Sequence, residues 1–402
     1  DEEEFLSTAS DVLRGLEREM KRGLPGTNPR ARRALEIGCG PGRLMKPLSR
    51  IFGEIHGVDV SDEMIALAKE RLKPIPHAHP HVGSGADLRL FADDSFDFIY
   101  SYAVFQHIPS KEVVFSYLAD AARVLKPGGL MRFQANNLEA ARTAKETWHG
   151  CSIEAEEIRA YAASFGLRLL ALEAVKTQYM WVTIRKPGPE AVSSGTPRIR
   201  RITNSESSEP VAPNRGRYSA VSLWIESLPV TADLLSLTLT VGGQPARLTY
   251  LSAPEMDGLV QLNAVLPKDL STGLQPVELK LGDQTLAESV FRIIPAPPAV
   301  PRLVDAVDGL DYMSGTRIVS GSVKLFVEEL FEPETLVASV DGVPAYDYSI
   351  LCTDPMPPRH EINFRLPVSL GSGPKVLRLE AGRRLIGLVP IEIAPLVIPE
   401  VN

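Results

Sequence analysis

The stretch "EIGCGPG", residues 36–42, decides how this chain is read. Gly38, Gly40 and Gly42 follow the apolar run "ALEI" (34–37) and precede "RLMKPLSRIF" (43–52), a strand, a glycine turn and a helix. That order leaves free backbone N–H groups at a helix N-terminus, where they can meet a polar ligand. The spacing is Gly-x-Gly-x-Gly, whereas the dinucleotide fingerprint needs its third glycine one position later. No Gly-Lys-Ser/Thr follows, which excludes a nucleotide P-loop. Taken alone, the glycines are also compatible with a plain tight turn.

Outward from the loop, apolar runs alternate with helical patterns up to about residue 186, the signature of parallel βα units. Strands are expected at 54–60, near His81 and Val82, at 95–101 and at 130–136. Helices are expected at 61–72 with Ser61 as N-cap, at 114–125 before the turn "KPGG" (126–129), and at 152–166. Pro47 should bend or shorten the helix over 43–52. Two closing strands, "LRLLALEAV" and "QYMWVTIRK", share a connection too short for a helix. The expectation is a seven-stranded α/β, Rossmann-like sheet, parallel except for an antiparallel edge.

Asp59 ends the second strand about twenty residues beyond the loop, where a carboxylate can accept both hydroxyls of a ribose. The alternative is that Asp59 caps the next helix, a task for which Ser61 is better placed.

After "RKPGPEAVSSGTP" (185–197) the helical periodicity stops and short alternating strands take over. Four blocks then recur in order at a period of about 100 residues. "PRIRRITN" (197–204) answers to "PRLVDAVD" (301–308), and "VSLWIESL" (221–228) to "VKLFVEEL" (323–330). "VGGQPA" (241–246) answers to "VDGVPA" (340–345), and "QLNAVLP" (261–267) to "EINFRLP" (361–367). The organisation expected is 1–186, a linker at 187–196, and two copies of an all-β immunoglobulin-like sandwich at 197–298 and 299–402. Trp224, at an alternating position, reads as core.

The net charge of -7 over 402 residues gives no footprint for nucleic acid. Cys39, Cys151 and Cys352 are too far apart for a disulfide framework or a zinc site, which points to a reducing compartment. No apolar run approaches the roughly 20 residues of a membrane span. The opening "DEEEF" does not read as a secretory signal, so the cytoplasm is the expected location. The chain does not begin with Met, and whether residues precede Asp1 stays open.

Taken together, "ALEIGCGPGRL", "GVDVSDEMIALAKERL", "GADLRLFADDSFDFIYSYAVFQHIP" and "ARVLKPGGLMRF" resemble the class I S-adenosylmethionine-dependent methyltransferases over about 31–186. The β-rich part is similar to bacterial immunoglobulin-like modules. The first resemblance implies S-adenosylmethionine as cofactor and a role for each matched residue. Glu36 would orient the loop and the methionine end, and Gly38, Cys39, Gly40 and Gly42 would lie against the cofactor. Asp59 would hold the ribose, with Val60 and Met64 beside the adenosine. Ala86, Asp87 and Leu88 would read the adenine edge; "SGADL" replaces the family's commoner "GDA", so Asp87 would contact the amino group. Ser101 and Tyr102 would face the methionine portion or the acceptor.

Methyl transfer needs a base only where the acceptor keeps its proton until the transition state. His107 and His149 are the candidates, as imidazoles that titrate near neutral pH. "HAHPH" (77–81) is read as a loop, with no metal. "YSYAVF" stands where nucleic-acid amino methyltransferases carry Asn-Pro-Pro-Tyr, so the acceptor expected is a small molecule or a glycan. The β modules would bind a protein or carbohydrate partner. The competing reading is a cofactor-binding but catalytically silent scaffold.

Overall fold

A computed structural model describes residues 10–23, 28–138, 150–188, 195–216, 218–255, 257–268, 270–296, 300–310, 314–330, 333–354, 359–382 and 384–395. The chain forms two compact units, one of residues 1–214 and 219–294, the other of 215–218 and 295–402.

The first described element of the first unit is helix α1 (Ser10–Gly23), for which the sequence reading made no assignment. Leu16 and Met20 of α1 bury in one cluster with Phe98, Tyr100 and Leu130. Then come β1 (Arg33–Ile37), α2 (Met45–Leu48), β2 (Glu54–Asp59), α3 (Asp62–Leu72), β3 (Ala78–Val82) and β4 (Phe96–Ser101). They are followed by α4 (Lys111–Val124), β5 (Leu125–Ala135), α5 (Ala155–Ser164), β6 (Arg168–Glu173) and β7 (Met180–Arg185). Helix α2 has only four residues and contains Pro47, which cannot donate a backbone hydrogen bond. Ser61 Oγ accepts from Met64 N at the start of α3, Ser110 Oγ from Val113 N at α4, and Glu154 with Glu157 forms a capping box at α5.

Strand order is β3-β2-β1-β4-β5-β7-β6. β7 runs antiparallel to both neighbours and so lies inside the sheet rather than at its edge. The "KPGG" segment, expected as a turn, belongs to β5: Gly128 N donates to Lys186 O at 2.8 Å, and Lys186 N to Gly129 O at 3.0 Å.

The same unit continues into β8 (Arg198–Asn204), β9 (Val211–Pro213), β10 (Ala220–Glu226), β11 (Leu237–Val241), β12 (Gln244–Leu251), β13 (Leu259–Val265), β14 (Gly273–Leu281) and β15 (Gln284–Ile294). β8-β10-β13-β12 pair in one run and β12-β11-β14-β15-β9 in another. The outer edge of β6 is covered by this second part. Tyr250 pairs with Ala171, Leu234 N donates to Leu169 O at 2.9 Å, and Leu169 N donates to Asp233 Oδ2 at 3.2 Å. A bare strand edge would leave a row of unpaired N–H and C=O groups, and this arrangement removes it. Buried apolar residues form one continuous cluster from Leu35 to Ile293.

The second unit repeats the pattern with β16 (Arg302–Asp308), β17 (Arg317–Ile318), β18 (Ser322–Glu328), β19 (Leu336–Val340), β20 (Val343–Pro344), β21 (Tyr346–Asp354), β22 (Arg359–Arg365), β23 (Gly373–Ala381) and β24 (Arg384–Ile393). Its sheets are β16-β18-β22-β21 and β17-β24-β23-β19-β20. Even the parallel β9–β15 pair recurs, as β17–β24. Val323, Leu325 and Ile362 from one sheet share a core with Ala338, Leu377 and Leu379 from the other. The matched "VGGQ" and "VDGV" hairpins each hold two successive positive φ values, 59° and 75° at Gly242 and Gly243, 48° and 80° at Asp341 and Gly342. That is the backbone of a two-residue turn whose twist matches the strands it joins. Trp224 is not in the core: Leu223 and Ile225 point inward, and Trp224 lies on the other face beneath the Arg201 guanidinium, 4.7 Å from its ring centroid.

Candidate functional site

The glycine loop leaves the C-terminal end of β1 and is pinned to β2, with Gly38 N and Cys39 N both donating to Val58 O. All three loop glycines have positive φ, 74°, 48° and 81°, but they answer two different demands. A Cβ on Gly38 would sit 2.2 Å from Val104 Cγ2, and one on Gly42 would sit 3.2 Å from Leu72 Cδ1, so both serve close packing. A Cβ on Gly40 would meet nothing within 4 Å. Gly40 is therefore the loop glycine whose Cβ side faces open space. Gly57, which the sequence reading passed over, is needed as well, because a Cβ there would press on Met45 Sδ at 2.5 Å and Cys39 Cβ at 2.7 Å. A glycine inside a strand is the signal that marks such a close approach.

Asp59 ties the loop to the next helix. Its Oδ2 accepts from Gly40 N at 2.8 Å and its Oδ1 from Ser61 N at 3.0 Å, while Ser61 itself caps α3. The carboxylate is half-buried beside Val60, which is 68% exposed, and Met64 is half-buried in the first turn of α3. A Cβ on Gly85 would approach Val60 Cγ2 to 3.1 Å, which sets the 84–88 segment next to this strand end. In that segment Ser84 Oγ accepts from Ala86 N and Asp87 N, and Leu88 N donates to Asp120 Oδ2 at 2.7 Å. Leu88 is buried, and Asp87 is half-buried.

Glu36 is only 3% exposed and accepts a hydrogen bond from the Tyr100 hydroxyl at 2.9 Å. Burial pushes its carboxyl up to about 8, against the opposing pull of Tyr100 and Arg43. Burial also holds the Cys39 thiol far above its ordinary range, which removes it as a nucleophile. Ser101 is buried, its hydroxyl donating to Ile37 O at 3.0 Å. Tyr102 follows it, and Ala103 then takes a left-handed φ of 56° at the turn out of β4. His107 lies exposed in a short 3-10 turn (Phe105–His107), its Nε2 3.2 Å from Gln106 Nε2. His149 falls outside the described residues.

A cleft of about 760 Å³ opens under α1, with Arg14, Arg18, Tyr102, Arg132, Gln134 and Trp181 among its lining residues. Tyr102 joins it to the loop: the Arg43 guanidinium is 5.8 Å from one ring centroid, and the Trp181 ring stacks at 5.9 Å. Arg132 is buried, donates to Thr183 Oγ1 at 2.6 Å and to Glu173 Oε2 at 3.1 Å, and lies 4.7 Å from the Trp181 centroid. Gln134 is 3% exposed, and its Oε1 has no hydrogen-bond partner among the described residues. The sequence reading named none of these except Tyr102. They stand on β5, β7 and α1, far apart in the chain.

"HAHPH" is not a loop, since Ala78–Val82 is a strand. It sets His79 and His81 beside His56, and Glu54, His56 and His79 offer ligand atoms within 4.8 Å of one another. Arg33 already engages this group, donating to both Glu54 oxygens at 2.9 and 3.2 Å and lying 3.2 Å from His56 Nε2. His56 Nδ1 and His81 Nε2 are 3.0 Å apart. Burial lowers both imidazoles, His81 to about 4.

Residues 35–133, which hold the loop, Asp59 and β4, match the family described as "Methyltransferase domain". This segment is thus a methyltransferase domain, whose cofactor is S-adenosylmethionine. Phosphoethanolamine N-methyltransferase 2 of Caenorhabditis elegans is 38% identical over 97 residues, 24% of this chain and 22% of that protein. A ubiquinone biosynthesis O-methyltransferase of Cereibacter sphaeroides is 32% identical over 99 residues, 25% of this chain and 39% of that protein. The chain spans well under half the length of either relative. Among solved structures, geranyl diphosphate C-methyltransferase from Streptomyces coelicolor overlaps 44% of this chain and 77% of its own, with 14% identity and a TM-score of 0.36.

Proposed function

We propose that the chain is an S-adenosylmethionine-dependent methyltransferase acting on a hydroxyl oxygen of a small molecule or glycan. The observation that carries this is the setting of Asp59. Its carboxylate stands at the end of β2 between the open backbone of Gly40 and the N-terminus of α3, inside the segment that matches a methyltransferase domain. When bound, S-adenosylmethionine supplies an electrophilic methyl group. The protein's own work is then alignment and the exclusion of water.

Asp59 holds the ribose, Val60 and Met64 flank the adenosine, and Ala86, Asp87 and Leu88 read the base. Glu36, next to Arg43, attends the methionine end together with the Gly38–Gly42 backbone, Ser101 and Tyr102. Where the acceptor hydroxyl keeps its proton, His107 is the first candidate base and His149 the second. The Glu54–His56–His79 group is read as a hydrogen-bonded network without a metal, because the Arg33 cation stands against it.

Residues 1–186 form the catalytic segment, 187–196 a linker, and 197–298 and 299–402 two immunoglobulin-like β-sandwiches. Their shared strand pairing and two-residue hairpins support this reading. The modules present surfaces to a protein or carbohydrate partner rather than to nucleic acid, in keeping with the net charge of -7. No described helix is long and apolar enough to cross a membrane, and buried free thiols at Cys39 and Cys151 suit the reducing cytoplasm.

Calorimetry with S-adenosylhomocysteine tests the cofactor site. Asp59→Ala should weaken binding at least tenfold, since hydrogen bonds to a charged group are worth about 1.5–3 kcal/mol each. Tighter binding of NAD than of S-adenosylhomocysteine would overturn the reading, and labelled methyl transfer to hydroxylated acceptors tests the activity.

A further inference from the structure

We propose that the cleft under α1 is the acceptor site and that it takes a planar aromatic hydroxy acid, an assignment that rests on the methyltransferase reading for the word acceptor. Three features of the cleft select that chemistry. Aromatic faces line it, with Trp181 stacked on Tyr102 at 5.9 Å and an interplanar angle of 8°. A flat aromatic ring can meet the edges of this pair in edge-to-face contact at little entropic cost, whereas an alkyl chain gains less from it.

The second feature is charge. An aromatic wall commonly suits a cation, but here guanidinium groups already occupy that role: Arg132 at Trp181 and Arg43 at Tyr102. Arg14 and Arg18 add two more cations to the lining, against the single carboxylate of Glu173. Glu19, which is buried and not part of the lining, lies 3.4 Å from Arg18 and 3.8 Å from Arg132 and offsets part of their charge. A protonated amine entering the cleft would face like charges, while a carboxylate is drawn to the excess of arginine side chains in the lining.

The third feature is Gln134. It is buried on β5, paired across to Trp181 of β7, and its Oε1 has no partner among the described residues. An unsatisfied buried acceptor costs free energy that a ligand hydroxyl can recover by donating to it. Tyr102, which lines the same cleft, is also the ring that the Arg43 guanidinium just after the glycine loop approaches, at 5.8 Å from its centroid.

The test uses the full chain and four matched probes: 4-hydroxybenzoate, benzoate, phenol and tyramine. Quenching of tryptophan fluorescence reports binding, and Trp181→Phe, which keeps a stacking ring, should remove the signal that arises in the cleft. The expected order is 4-hydroxybenzoate, then benzoate and phenol, then tyramine, with at least tenfold between first and last. Gln134→Leu should abolish the preference for 4-hydroxybenzoate over benzoate while leaving benzoate affinity within twofold. Tyramine binding as tightly as 4-hydroxybenzoate, or a quench that survives Trp181→Phe, would overturn the proposal. Calorimetry with S-adenosylhomocysteine runs alongside. Cofactor binding with no response to any acid sinks the acceptor assignment alone, whereas loss of cofactor binding with intact acid binding sinks the methyltransferase reading instead.

Discussion

Glu36 should couple cofactor binding to proton release. Its carboxyl is buried, hydrogen-bonded to Tyr100, and pushed up to about 8 by desolvation, so near neutral pH it is largely protonated in the free protein. A cofactor that brings an ammonium group to this end of the loop favours the carboxylate. If the bound form is ionised and the free form titrates at 8, then about 0.9 proton leaves per cofactor at pH 7. By the same relation the association constant should rise about ninefold from pH 6 to pH 7, below the range where the ligand's own amine loses its charge. Calorimetry with S-adenosylhomocysteine in buffers of different ionisation enthalpy measures both quantities. Glu36→Gln should bind more weakly and show neither the slope nor the proton release. A wild-type affinity that is flat between pH 6 and 7 would mean that Glu36 titrates in the ordinary carboxylate range, and the burial argument would fail.

In the same apo state the sign for stability is fixed by which form the fold prefers. Glu36 is neutral when folded, so its contribution is full below about 4.5 and is lost as pH rises toward 8. Thermal melts of Glu36→Gln against wild type should therefore diverge on the alkaline side, and parallel curves would refute it. His81 behaves in the opposite sense. Burial lowers it to about 4, so the unfolded chain takes up the proton first and stability falls as pH drops from 6.5 toward 4. After a discount for its partial exposure the loss should be on the order of 1 kcal/mol, and His81→Gln should flatten the melting temperature between pH 7 and 5. Gly38→Ala must accept a φ of 74° and a Cβ 2.2 Å from Val104 Cγ2. Urea unfolding should show a loss of about 1–3 kcal/mol, and a change under 0.5 kcal/mol would refute the packing argument.

The local pattern of the chain carried much of this molecule. Strand, glycine turn and helix around Gly40, the N-cap at Ser61, the shortening at Pro47 and the order of the repeated blocks all depend on contacts within a few residues or on a regular period. Such features are written in consecutive side chains. The two demands on the loop glycines were not legible, because Val104 and Leu72 reach Gly38 and Gly42 only across the folded domain. Likewise "HAHPH" looked like a loop because Pro80 weakens a strand signal, yet pairing with β2 carried Ala78–Val82 into the sheet. Trp224 alternates as a core residue would, but the face it occupies depends on register, and a one-residue choice moves it from core to surface.

Local spacing is enough to read the glycine loop, the acidic residue at the end of β2 and the twofold repetition of the β-rich part, since each is written in neighbouring residues or a regular period. The cleft formed by α1, β5 and β7, the desolvation that raises Glu36, and the covering of β6 by Tyr250 and Leu234 emerge only on folding. Those properties belong to groups far apart in the chain, and burial and pairing exist only once the fold has brought them together.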